Sequence, residues 1–96
     1  MAVVAVFEFP NADIAQYHKA FEVGGAQILE QPDRLQHVCF RTESGFTVID
    51  VWRDAASFQK FGEVIGPVTA EVGLDAQPQM YEAVGTISQS GERTTF

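Results

Sequence analysis

The stretch 46-FTVIDVWRD-54 is an apolar strand with an acid in its middle. Phe46, Val48 and Ile49 precede Asp50, and Val51 and Trp52 follow it. Side chains in a strand alternate faces, so Phe46, Val48, Asp50 and Trp52 share one side. Thr47, Ile49, Val51 and Arg53 share the other; this set is largely β-branched and suited to stacking on a second sheet. The first set is bulky and uneven, suited to helices or to a cavity beneath them. A buried carboxylate is costly unless it is paired, protonated or put to use. The alternation therefore predicts Asp50 under a helical layer, beside Trp52 and hydrogen-bonded there.

Upstream, 2-AVVAVFEF-9 is almost wholly apolar, as in a strand covered on both faces. Pro10-Asn11 breaks it, and Asp13 with Gln16 three residues on forms a capping-box pattern. Ile14, Tyr17, His18, Phe21 and Gly25 follow at helical spacing, which predicts a helix over 13–23 with that stripe inward. Gly24-Gly25 closes it, and Gln31-Pro32 leads to a second strand over 35–42. The turn before the opening stretch is Glu43-Ser44-Gly45, with Gly45 suited to a left-handed position. Asp54 caps a second helix with the stripe Phe58, Phe61, Ile65, Val68 and Val72. Gly66-Pro67 splits that helix into pieces over 54–65 and 67–72, because proline lacks the helical donor. A last strand is expected over 79–87, and 88-SQSGERTTF-96 reads as a loose tail.

The order β-α-β-β-α-β is the split-βαβ, ferredoxin-like pattern. It predicts an α+β domain over 1–87, with a four-stranded antiparallel sheet and both helices on one face. The strands are apolar on both sides, so the open face calls for a cover, and a homodimer packed sheet to sheet is the expectation.

With 96 residues the chain is one domain. Its hydrophobic fraction of 46%, with eight Phe, two Tyr and one Trp, exceeds what one small core needs and suggests a partner or a ligand cavity. A formal charge of −7 with only six Lys and Arg argues against nucleic acid and anionic membranes. A single cysteine, Cys39, excludes an internal disulfide framework and a cysteine-based metal site, and fits a cytoplasmic setting. The apolar run near the start is too short to span a membrane. His18, His37 and Asp50 lack the usual metal-ligand spacing, so no metal is expected.

The run 45-GFTVIDVWRDAASFQKF-61 joins an apolar strand, an acid two residues before a Trp, an acidic cap and a helix with paired Phe. In this it resembles the antibiotic-biosynthesis-monooxygenase domains of the dimeric α/β-barrel superfamily. The resemblance implies a homodimer of ferredoxin-like units, each with a pocket between sheet and helices, and with Trp52 and Asp50 at the matching positions. It implies cofactor-free oxygenation or cyclisation of a small aromatic or polyketide-like molecule. The haem-degrading branch is disfavoured, since no Asn lies in 3–9 and no His in 54–72.

Within that frame Asp50 and His18 are the expected catalytic pair. A histidine turned by a carboxylate can take a phenolic proton near neutral pH. Trp52, Tyr17, Phe21, Phe58, Phe61 and Tyr81 are the expected substrate-binding residues. His37 depends on hairpin register. A Ser44-Gly45 loop sets His37 opposite Trp52 and Cys39 opposite Asp50. A loop of Glu43-Ser44-Gly45 pairs Thr42 with Phe46 and sends His37 to the dimer face, and it is slightly favoured. Cys39 reads as a small buried apolar residue. The other class of function is a non-catalytic dimer that binds a hydrophobic molecule or serves as an accessory subunit.

Overall fold

A computed structural model describes residues 1–96. Six strands and three helices follow one another as β1 (Val3–Pro10), α1 (Ile14–Gly24), α2 (Ala26–Leu29), β2 (Arg34–Arg41), β3 (Gly45–Trp52), α3 (Ala55–Glu71), β4 (Pro78–Glu82), β5 (Gly85–Ile87) and β6 (Arg93–Thr95). The main sheet has the order β2-β3-β1-β4 with every pair antiparallel. This is the ferredoxin-like α+β arrangement.

Apolar side chains on one face of the sheet meet the helices. Ala5, Phe7, Phe9, Phe46, Val48 and Leu74 form one buried cluster, and Ala20, Ile28, Trp52, Phe61 and Val68 form the other. The opposite face of the sheet leaves Val38, Phe40 and Tyr81 exposed.

Helix α1 begins as its sequence predicts. Asp13 accepts the Ala15 N–H at 2.9 Å, and the Gln16 side chain accepts the Asp13 N–H at 2.8 Å. The other end of the Gln16 amide donates to Val72 O at 2.9 Å, so one side chain caps the start of α1 and the end of α3. Asp54 caps α3 by accepting the Ser57 N–H at 2.7 Å, and this bond holds its carboxyl below the usual range.

Four expectations need correction. Helix α3 is continuous from Ala55 to Glu71 with Pro67 inside it, not two pieces. Pro67 lies on the exposed side, so the hydrogen bond it cannot make is lost where water replaces it, while Phe61, Val68 and Thr69 bury the opposite side. The short helix α2, with Ile28 buried, occupies what reads as a plain connection. The last strand is interrupted at Ala83-Val84, splitting it into β4 and β5. Residues 88–96 are not a loose tail, because Arg93–Thr95 pair with Gly85–Ile87 in a hairpin.

The β2–β3 register also differs from both expected forms. Arg41 faces Phe46 and His37 faces Asp50. The turn closes at Thr42 and Gly45: Thr42 N–H donates to Gly45 O at 2.9 Å, and Gly45 N–H donates to the Thr42 hydroxyl at 3.1 Å. Gly45 does not take a left-handed conformation. Glycine is needed there because an added Cβ would lie 2.0 Å from Phe9 O.

Candidate active site

Asp50 lies on the helix-facing side of β3, 3% exposed. Its partner is His37 from the neighbouring strand, with His37 Nδ1 2.5 Å from Asp50 Oδ1. The other ring nitrogen, Nε2, is 2.7 Å from the Tyr17 hydroxyl on α1. Tyr17 and His37 rings are nearly parallel, 8° apart with centroids at 6.0 Å. The three side chains make an unbroken hydrogen-bonded chain from a buried carboxylate to a phenol.

Proton positions follow from the phenol. Burial, with the nearby Cys39 and the Asp50 charge, pushes the Tyr17 hydroxyl up to about 12. At neutral pH Tyr17 is therefore protonated and able to donate to Nε2 when that nitrogen carries no proton. With Nε2 accepting, His37 carries its proton on Nδ1 and donates it to Asp50. The carboxylate thus fixes the imidazole tautomer and would stabilise the imidazolium that forms if Nε2 takes a proton.

A cavity lies between the sheet and the helices. The space open to the centre of a water-sized sphere is about 60 Å³. That is room for a few water molecules, since one water needs at least roughly 10–15 Å³ by this measure. It is less than half of the ~150 Å³ that holds a benzene ring, so an aromatic substrate requires the helices to move apart. Its wall is largely apolar, and Tyr17, His37, Asp50, Arg34 and Thr69 supply the polar groups.

The expected residues divide sharply. Tyr17, Phe21, Phe61 and Asp50 line this cavity. His18 does not: it is exposed, edge-on to Tyr17 with ring centroids at 5.5 Å. The expected His18–Asp50 pair is replaced by His37–Asp50, because residues 17 and 18 diverge by about 100° around a helix and Tyr17 takes the inward direction. Trp52 is fully buried core rather than lining; its ring packs on Phe61 at 4.8 Å and Phe58 at 6.0 Å. Phe58 lies behind the cavity, between Phe7 and Trp52. Tyr81 faces the opposite side of the sheet, opposite Val4 in register and 54% exposed, with its hydroxyl donating to Gln79 at 3.0 Å. Cys39 packs against the helix-side cluster, and burial raises its thiol above the ordinary value.

His37 and Arg34 are the cavity residues that the sequence underrates or misses. Both depend on register, which one slipped residue reverses. The available signal was Thr42, whose hydroxyl can close a turn onto Gly45. No cluster of three or more His, Cys, Asp or Glu residues is arranged to hold a metal.

No protein-family model matches the chain, and no curated protein sequence matches it significantly. Solved structures do match its fold. SnoaB, a cofactor-independent oxygenase from Streptomyces nogalater, is 19% identical, with a TM-score of 0.60 over 85% of this chain and 90% of its own. A protein of Chloroflexus aurantiacus J-10-fl, described as a candidate antibiotic biosynthesis monooxygenase, gives 0.67 at 12% identity over 90% and 96%. MupZ from Pseudomonas fluorescens gives 0.59 at 13% identity over 82% and 68%. The chain therefore shares its ferredoxin-like fold with these proteins.

Proposed function

We propose that this chain is a cofactor-independent monooxygenase-like enzyme for a small phenolic or enolic molecule, aromatic or polyketide-like, held between sheet and helices. The observation that carries the proposal is the Tyr17–His37–Asp50 chain opening on an apolar cavity. The oxygenase fold of SnoaB agrees with it.

In this reading a substrate hydroxyl hydrogen-bonds to Tyr17. Tyr17 passes its proton to His37 Nε2 as it accepts one from the substrate. The net result is a substrate anion and an imidazolium paired with Asp50. An electron-rich phenolate or enolate can itself reduce dioxygen. One electron passes to O2, and the resulting radical and superoxide combine in a new C–O bond. The peroxide takes a proton and loses water as the neighbouring C–H proton leaves, giving a carbonyl. One oxygen atom stays in the product and the other departs as water; the substrate supplies the water's two hydrogens and all four electrons that O2 takes up. The apolar wall favours the chemistry by keeping bulk water from the anion.

The proposal includes a second copy of the chain. The sheet face that carries Val38, Phe40 and Tyr81 would pack on its symmetry mate.

The test is oxygen uptake with a panel of dihydroxynaphthalenes and related phenols. Asp50→Asn and His37→Ala should each lower kcat by about 100-fold or more, the usual span of a general base. His18→Ala should stay within about twofold of the parent, as expected for an exposed residue. Equal loss in His18→Ala, or undiminished turnover in both His37→Ala and Asp50→Asn, would overturn the assignment.

A further inference from the structure

Strand β2 contains one irregularity, and it decides which side of the sheet Arg34 takes. Arg34 faces Trp52, yet Gln36 faces Val51, so Leu35 is an extra residue in the ladder. With unbroken alternation from His37, Arg34 would stand on the open face of the sheet. The bulge turns it to the helix side, and bulges commonly re-aim a side chain in this way. There it lines the same cavity as Tyr17, His37 and Asp50.

Its environment is unusual for a cation. The guanidinium carbon lies 5.9 Å from the Trp52 ring centroid and 6.0 Å from that of Phe61. Nη1 donates to Ile28 O at 2.8 Å and Nη2 to Leu29 O at 3.2 Å, both on the short helix α2. No carboxylate pairs with it, and the adjacent Asp33 is bound to Arg53 at 3.0 Å. Two of the five guanidinium N–H groups are thus used by the protein. Arg34 is also the only permanently positive side chain among the cavity-lining residues.

We propose that Arg34 is a substrate-anchoring residue that binds a carboxylate, so that the molecules taken by this cavity are aromatic or polyketide-like acids. Arginine's planar fork matches a carboxylate in two parallel bonds, and the aromatic rings beneath it hold the fork in plane. The acid group would sit at the Arg34 end, and the hydroxyl to be deprotonated at the Tyr17 end. An overall charge of −7 disfavours anions in general, which makes one free cation inside an apolar cavity selective. This inference rests on the cavity being the substrate site.

The experiment reads binding, not turnover. Trp52 is the only tryptophan, so the ¹⁵N-labelled chain gives one indole cross-peak, beside Arg34. The protein is titrated with 4-hydroxybenzoate and with 4-hydroxybenzamide, two rings of equal shape and unequal charge. The benzoate should bind about tenfold or more tightly, as a charge-assisted pair predicts. Arg34→Gln should abolish the preference, bringing the two ligands to within about twofold of each other. Should that variant unfold through loss of its bonds to α2, the parent's own Arg34 Nε cross-peak decides; it should move with benzoate and not with the amide. Equal affinities in the parent, no benzoate binding at millimolar concentration, or a preference that survives Arg34→Gln would each overturn the proposal. An acid-selective cavity without oxygen uptake would sink the oxygenase reading alone, whereas oxygenation of phenols without acid preference would sink only this one.

Discussion

Tyr17 joins two environments, since its ring packs edge-on against Phe21 at 4.9 Å and Phe46 at 5.7 Å while its hydroxyl meets His37. Burial alone would leave a phenol reluctant to ionise, and the Asp50 charge adds to that reluctance. Its ionisation at about 12, against an ordinary value near 10, sets the sign of a pH effect. Between those values the unfolded chain releases the phenolic proton and the folded chain keeps it. Stability is therefore fully present below pH ~10 and falls as pH rises toward ~12. An ultraviolet titration of the phenols should show a late ionisation near pH 12 that disappears in Tyr17→Phe. If that late phase survives the substitution, Tyr17 is not the shifted group. At this scale Asp50 and Tyr17 were legible from strand and helix periodicity, but the histidine between them was not. The sequence left His37 either opposite Trp52 or on the dimer face, and the observed pairing with Asp50 comes from a third register, closed by the Thr42–Gly45 bonds.

At the scale of elements, glycines at two positions make opposite predictions. Gly45 begins β3 where an added Cβ would meet Phe9 O at 2.0 Å and Ala12 N at 3.2 Å, both backbone atoms that cannot swing aside. Gly45→Ala should cost about 3 kcal/mol or more and, by shifting the β2–β3 pairing, should disturb the His37–Asp50 contact. Gly62 lies in α3 with nothing within 4 Å of an added Cβ. Gly62→Ala should stabilise the chain by about 0.5–1 kcal/mol, because the helix gains propensity without a clash. Urea unfolding of the two variants measures both effects; a neutral Gly45→Ala would show that the turn has slack. Helix caps were readable here because a cap is local: Asp13, Gln16 and Asp54 act on neighbours a few residues away. The continuity of α3 through Pro67 was not, because it depends on which side of the helix meets water.

At the scale of the molecule the core is one-sided. Only 16 of 96 residues are buried, and on the sheet they come almost entirely from the helix-facing side. The other face carries Val38 at 45% exposure, Phe40 at 46% and Tyr81 at 54%, with Val4, Val6, Ile49 and Val51 half-buried around them. The β5–β6 hairpin does not close that face; it leaves an open cleft against Leu35, Val51 and Arg53. Covering one large apolar side chain is worth about 1.5–3 kcal/mol, so a contiguous face of this kind drives association. Stacking on a second copy, as proposed, would satisfy it symmetrically, with residues of one sheet meeting their own counterparts about a two-fold axis. Sedimentation equilibrium at micromolar concentration should give twice the 10.6 kDa chain mass. Replacing both Val38 and Phe40 by Glu should return the mass to that of one chain, since like charges would face each other across the seam. Both positions are already partly exposed, so each monomer should lose no more than about 1 kcal/mol. A parent chain that sediments as a monomer at high micromolar concentration would remove the dimer while leaving the Tyr17–His37–Asp50 site intact, because every residue of that site comes from one chain and faces away from the proposed seam.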